Sequence, residues 1–100
     1  MLHTVNKSPL ERNTLESCLR LAAKGSAILL IEDGVYGALA AGQAAKEIGK
    51  RKADLKFYAL GPDLAARGLS ESPLVDGIEI VDYEGFVDLA AEYEAHQAWL

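Results

Sequence analysis

Cys18 is the most reactive side chain in this sequence and the only cysteine among its 100 residues. Its thiolate would be a nucleophile and a metal ligand. Cys18 lies in "NTLESCLRLAAKG", where helical spacing puts Leu15, Cys18 and Leu19 on one apolar face. This spacing favours a buried thiol that packs like a small hydrophobic side chain. Arg20 points elsewhere, so the spacing places no basic residue beside Cys18 to lower its pKa. Two interpretations stay open, a core residue and a thiol with a chemical role.

A second candidate site follows the apolar run "AILLIE", which is typical of a strand covered on both faces. In open α/β sheets, ligands bind beyond the carboxyl ends of the strands. The turn "EDGVYG" leaves that end, and Glu32, Asp33 and Tyr36 could form a small binding or docking pocket there. The alternative is that Asp33 and Gly34 make an ordinary turn that begins the next helix.

Signatures of common enzyme classes and cofactor sites are missing. The sequence has no phosphate-binding glycine loop and no dinucleotide fingerprint after a strand. His3, Cys18 and His96 do not have the spacing of metal ligands. No serine lies in a nucleophile elbow. We therefore expect no cofactor and no metal, and we do not expect an independent enzyme.

Composition limits the classes of partner. The formal charge of −5 disfavours direct binding to nucleic acid, since phosphate backbones would repel the molecule. A basic cluster at Lys46, Lys50, Arg51, Lys52 and Lys56 is the only candidate patch, and its simpler interpretation is a solvated helix end and loop. A lone cysteine, no signal-peptide pattern and no membrane-spanning run predict a soluble, cytoplasmic protein.

Strand and helix signals alternate along the whole chain. Continuous apolar or β-prone runs separated by helical segments are typical of an α/β fold with a mainly parallel sheet between helices. We therefore predict a single domain over residues 1–100. The predicted strands are 2–5, 27–32, 54–60 and 78–81, and the predicted helices are 9–24, 38–49, 62–67 and a last helix that begins near residue 83.

Capping patterns set the predicted helix ends. Ser8 with Glu11 forms a capping box, with Pro9 at the first helical position and Gly25 after the last. Asp82 is a candidate N-cap of the last helix. Within that helix the spacing i, i+3, i+4, i+7 predicts a buried stripe. Its members are Phe86, Leu89, Ala90 and Tyr93.

Five stretches, read together, resemble the DsrH/TusB family of small sulfur-relay subunits. They are "LHTVNKSP" with "ERNTLESCL", then "LLIEDGVYGAL", "YALGPDLAARG", "VDYEGFVDL" and the terminal "QAWL". They occur in the family's order along nearly the whole chain, and residues 41–54 and 69–77 are not matched. No one stretch is specific, but the ordered set is.

The resemblance implies a DsrE-like α/β fold and a place in a heterohexamer with DsrE/TusD-like and DsrF/TusC-like subunits. Such complexes carry sulfur as a cysteine persulfide in the cytoplasm. One branch serves 2-thiolation of the tRNA wobble uridine, between the carriers TusA and TusE. The other serves dissimilatory sulfur oxidation and exchanges sulfur with DsrC. In both, the principal sulfur-carrying cysteine belongs to the DsrE/TusD subunit.

For Cys18, the resemblance implies a secondary persulfide carrier, since the DsrH branch has a cysteine in the "LESCL" context. Together with "HTVNKSP", this favours the DsrH branch. A fully buried thiol could not act, because the donor must reach it directly. The other hypotheses are a non-catalytic interaction subunit and a stand-alone small-ligand-binding domain. Residues 37–45 and Trp99-Leu100 are the candidate assembly surfaces, and ordinary intrachain packing is the alternative for each.

Overall fold

A sheet of five parallel strands runs through the structure, a computed structural model that describes all residues from Met1 to Leu100. The strands are β1 (Leu2–Val5), β2 (Ala27–Leu30), β3 (Lys56–Leu60), β4 (Ile78–Val81) and β5 (His96–Trp99). Their order in the sheet is β4-β3-β2-β1-β5. All four strand pairs are parallel, so the expected α/β fold is confirmed.

Helices cover both faces of the sheet. The strands from β1 to β4 step in one direction, so right-handed crossovers put their connecting helices on one face. The last crossover reverses direction and returns beside β1, which puts its helix on the other face. The connections contain α1 (Thr14–Leu21), a 3₁₀ helix (Glu32–Ala38), α2 (Ala45–Arg51), α3 (Gly61–Ala66) and α4 (Tyr83–Glu92).

Alternating side chains of the strands divide the core into two parts. On one face, Ile28 and Leu30 of β2 join α1, α2, α3 and the 3₁₀ helix in a cluster of 15 buried residues. On the other, Ala27 and Leu29 of the same strand form a smaller cluster with Leu89 of α4. β2 is therefore buried on both faces, as its continuous apolar run predicts.

The predicted start of the first helix is wrong. Ser8 Oγ does accept the amide of Leu10, at 3.2 Å, and the Ser8 carbonyl accepts the amides of Glu11 and Arg12. These bonds form one turn that stops at Arg12, and α1 begins only after Asn13. The capping pattern at Ser8 thus produces one isolated turn before α1 and does not start the helix itself. Gly25 does adopt the left-handed conformation, with φ +92°.

The helix predicted over residues 38–49 is shorter in the structure, where it begins at Ala45. The 3₁₀ helix occupies residues 32–38, and residues 39–44 form a β-bridge and turns. Gly37 packs so closely on α1 that a Cβ atom there would lie 2.7 Å from Leu15 Cδ2. Beyond it, Leu39 bridges Leu74, and the amide of Ala40 donates to the carbonyl of Pro73 at 2.9 Å. This pairing with a distant loop overrides the helical pattern of the small residues.

The end of the chain contains both a confirmed prediction and an omission. Asp82 Oδ1 accepts the amide of Gly85 at 2.8 Å, so Asp82 is the N-cap of α4. The predicted stripe faces the sheet and packs in the smaller cluster. β5, however, was not predicted, because its sequence "HQAW" is short and mostly exposed and shows no apolar alternation.

Candidate functional site

Glu32, Asp33 and Tyr36 all lie in the 3₁₀ helix, which follows β2 at the carboxyl edge of the sheet. The structure therefore brings these three predicted residues to the expected edge. Glu32 has φ +48°, a left-handed backbone conformation that is uncommon outside glycine. Its amide donates to Asp63 Oδ2 at 2.6 Å, which ties the start of the 3₁₀ helix to α3.

Gly34 allows the 3₁₀ helix to lie directly on the end of β1. A Cβ atom at this position would lie 2.0 Å from the carbonyl oxygen of Val5. The amide of Gly34 donates to the carbonyl of Ile31 at 2.8 Å. The amide of Ile31 donates in turn to the carbonyl of Val5 at 3.0 Å. The turn "EDGVYG" is thus a rigid connection, and Asp33 projects from it at a set position.

The carboxylate of Asp33 is paired with Arg67, which follows α3. Nε and Nη2 of Arg67 both lie 2.9 Å from Asp33 Oδ1, and Nη1 donates to the carbonyl of Asp63 at 3.2 Å. The Asp33 charge is therefore already balanced within the chain. Sequence reasoning named Asp33 but missed Arg67, because 34 residues separate the two and no local pattern connects them.

Tyr36 lines a surface groove of about 430 Å³. None of the seven residues that line it is charged, in a chain where 25% of residues are charged. Leu10, which lines it, is 78% exposed. The groove is lined by Pro9, Leu10, Tyr36, Leu39, Ala41, Gly42 and Gln43, and we call it the Leu10 groove.

Cys18 lies on the buried face of α1 and has 0% exposure. Burial raises the pKa of the Cys18 thiol to about 12, against a smaller lowering effect of the Arg51 guanidinium. Arg51 donates to the carbonyls of Leu19 and Ala22 at the end of α1. Because sulfur transfer requires a thiolate, this environment opposes chemistry at Cys18 in the isolated chain. It fits the interpretation of Cys18 as a core residue, and a carrier role stays a prediction.

Two further polar features were missed by sequence reasoning. The indole Nε1 of Trp99 donates to His3 Nδ1 at 3.0 Å, which joins the two ends of the chain. Asn6 Oδ1, just after β1, is buried and has no hydrogen-bond partner within the chain. No local pattern signals the first feature, since β5 itself was not predicted.

The structure contains neither a cluster of metal-ligating side chains nor a membrane-spanning helix. No group of three or more His, Cys, Asp or Glu side chains is arranged to hold a metal ion. None of the helices combines the length and the apolar character that crossing a bilayer requires.

Comparison with solved structures places the fold among known α/β proteins. The ychN protein of Escherichia coli superposes with a TM-score of 0.84 at 18% identity, over 97% of each chain. A protein of unknown function from Methanobacterium thermoautotrophicum superposes with a TM-score of 0.73 at 15% identity, over 97% of this chain and 96% of the other. At these identities the likeness establishes the fold alone.

Sequence comparison establishes the family. The family described as "DsrH like protein" matches residues 7–96. Protein TusB of Pectobacterium parmentieri is 38% identical over 100 residues, which cover 99% of this chain and 100% of the relative. Protein TusB of Escherichia coli strain K12 is 36% identical over 99 residues, with the same coverage. The chain therefore belongs to the DsrH/TusB family of small sulfur-relay subunits.

Proposed function

We propose that this chain is a non-catalytic interaction subunit of a cytoplasmic sulfur-relay complex that serves 2-thiolation of the tRNA wobble uridine. Its sister chains would be DsrE/TusD-like and DsrF/TusC-like subunits, and the complex would exchange sulfur with carriers such as TusA and TusE. The full-length TusB relatives support this assignment. The alternative branch, sulfur oxidation with DsrC, stays a prediction from Cys18 and "HTVNKSP".

The observation that carries the non-catalytic role is the burial of Cys18. A persulfide relay passes sulfur by direct attack of a thiolate on the outer sulfur of the donor. With 0% exposure and a pKa of about 12, Cys18 meets neither requirement at neutral pH. A sister subunit would therefore supply the sulfur-carrying cysteine, and this chain would shape and complete the complex.

The Leu10 groove supports the docking role. Exposed apolar surface without charged neighbours is typical of a protein interface, since burying it costs no desolvated charge. The groove includes Leu39, Ala41 and Gly42 from the small-residue segment 37–45. That segment therefore stays a candidate assembly surface.

The basic residues support a function without direct contact to tRNA. Lys50, Arg51 and Lys52 each have an acidic partner, at 3.8 Å, 3.8 Å and 3.4 Å respectively. The partners are Glu47, Asp54 and Asp76. With three of its five basic residues paired on an acidic molecule, the cluster lacks most of the unbalanced positive charge that phosphate binding needs.

The proposal is tested by complementation in a bacterium from which the gene for this chain has been removed. We expect wild type, Cys18→Ser and Cys18→Ala to restore thiolated wobble uridine equally, measured by mass spectrometry of digested tRNA. The purified complex, treated with a persulfide donor, should show no added sulfur on this chain by intact mass. Cys18→Ala controls for the hydroxyl that serine places in the core.

Two results would contradict this function. If the chain gains one sulfur atom that both Cys18 variants lose, and thiolation falls with it, the chain is a carrier. If the chain does not associate with the sister subunits and binds a small molecule alone, the stand-alone binding domain is the correct description.

A further inference from the structure

One side-chain hydrogen bond supplements the backbone pairing at the carboxyl end of the last strand. β5 lies at the edge of the sheet and pairs with β1 alone. Trp99 Nε1 donates to His3 Nδ1 at 3.0 Å, and the two ring centroids are 6.1 Å apart. An indole N–H can only donate, so Nδ1 must be the unprotonated, accepting nitrogen of His3. The bond therefore requires the neutral imidazole.

The surroundings of His3 offer no compensation for a positive charge. The imidazole belongs to a residue that is only 4% exposed, and Ile28 is its neighbour on β2. His3 lines a surface groove, and the only other ionisable group among the residues that line this groove is the α-amino group of Met1. On α1, Cys18 stays neutral, and Arg51 is bound to the carbonyls that end this helix. The groove is lined by Met1, His3, Leu21, Ala23, Ser26, Gln97 and Trp99.

We propose that His3 and Trp99 form a protonation-sensitive clip that holds the carboxyl end of β5 on β1. When Nδ1 takes a proton from solvent, a second N–H donor faces the indole N–H, and the hydrogen bond is lost. Trp99 and Leu100 then leave the sheet edge. This proposal concerns the isolated chain and does not depend on the proposed function.

At the start of β5, the side chain of His96 makes hydrogen bonds that survive protonation of its ring. Its Nε2 lies 2.8 Å from the carbonyl oxygen of Ala90 and 2.7 Å from that of Tyr93. Carbonyl oxygens only accept, so Nε2 is a donor, and it remains a donor in the imidazolium. Opening should therefore begin at Trp99 and leave the start of the strand in place.

The direction of the pH effect follows from the burial of His3. Burial, and to a smaller extent the charge of the Met1 α-amino group, lower the pKa of His3 below its ordinary value of 6.5. A lowered histidine pKa means that the unfolded chain binds the proton more readily than the folded one. The clip is therefore intact above pH 6.5, and its contribution is lost as the pH falls through the lowered value.

Trp99 is the only tryptophan, so its fluorescence reports on the clip directly. In the full chain, we expect lowering the pH to shift its emission to longer wavelength, with a midpoint below 6.5. His3→Asn keeps an acceptor but cannot take up the proton, so the transition should be lost. His96→Asn is the matched control and should keep it.

Amide exchange separates opening from simple quenching by a protonated imidazole. We expect exchange in residues 96–100 to rise about tenfold across the transition in wild type but not in His3→Asn. If His3→Asn does not fold, NMR titration of Trp99→Phe replaces it, and the midpoint of His3 should rise toward 6.5. An unchanged midpoint there would overturn the clip. So would a transition that persists in His3→Asn, or emission changes without faster exchange.

Discussion

Cys18 shows how helical spacing anticipates packing but not chemistry. The positions of Leu15, Cys18 and Leu19 on one face of α1 predicted burial, and all three are buried. The family resemblance pointed toward a carrier, which requires an accessible thiolate. The surroundings that decide between the two come from distant segments, such as Arg51 of α2.

We expect the Cys18 thiol to be unreactive in the folded chain. Its pKa of about 12 leaves almost no thiolate at mildly alkaline pH, and its burial requires the fold to open first. Labelling with a disulfide reagent should be about a hundredfold slower than for Glu16→Cys in a Cys18→Ser background, where the thiol is on the exposed face. Equal rates would show that Cys18 is accessible, and would reopen a carrier role.

Asp33 illustrates what the sequence predicts about the candidate site and what it does not. The apolar run of β2 and the turn after it indicated the correct edge of the sheet. Whether Asp33 is free depends on Arg67, which only the folded topology brings beside it. A binding role for Glu32, Asp33 and Tyr36 stays a prediction.

Among the helices and strands, those with strong local signals were predicted most accurately. β1, β4 and the start of α4 match the structure, because β-prone runs and the Asp82 cap act locally. Misplaced boundaries, such as the late start of α2, arise where tertiary contact overrides local propensity. β5 is the extreme case, since its polar sequence becomes a strand only by pairing with β1.

Two glycines with opposite surroundings test the packing of these elements. Gly34→Ala should destabilise the fold by about 3 kcal/mol, because its Cβ would lie against the Val5 carbonyl. Gly49→Ala, in α2, meets no atom within 4 Å and should stabilise by about 0.5–1 kcal/mol. Urea unfolding of both variants measures the difference. Equal stabilities would contradict the close contact between the 3₁₀ helix and β1.

The molecule as a whole presents different surfaces on its different sides. The Leu10 groove is uncharged, whereas α4 carries exposed carboxylates beside Val87. Exposed apolar residues occur on both, with Leu10 at 78% and Val87 at 66%. Exposure alone therefore does not identify the docking face, but the uncharged lining of the Leu10 groove favours the groove.

We expect Leu10→Glu to abolish co-purification with the sister subunits, because it would bury an unpaired carboxylate in the interface. Val87→Glu is the matched control and should assemble normally. Both variants should unfold at wild-type urea concentrations, since both side chains are exposed. Normal assembly of Leu10→Glu, or loss of assembly in Val87→Glu, would place the interface elsewhere.

The pairing of β5 with β1 also governs how the molecule forms. β1 leaves the ribosome well before β5, so the register of Leu2 with His96 must await the synthesis of β5. Contacts between such distant segments slow folding, because most of the chain must be closed into a loop before they form. We therefore expect β1 to β4 to assemble before β5 docks, with the edge beside β1 open to other chains until β5 pairs with it.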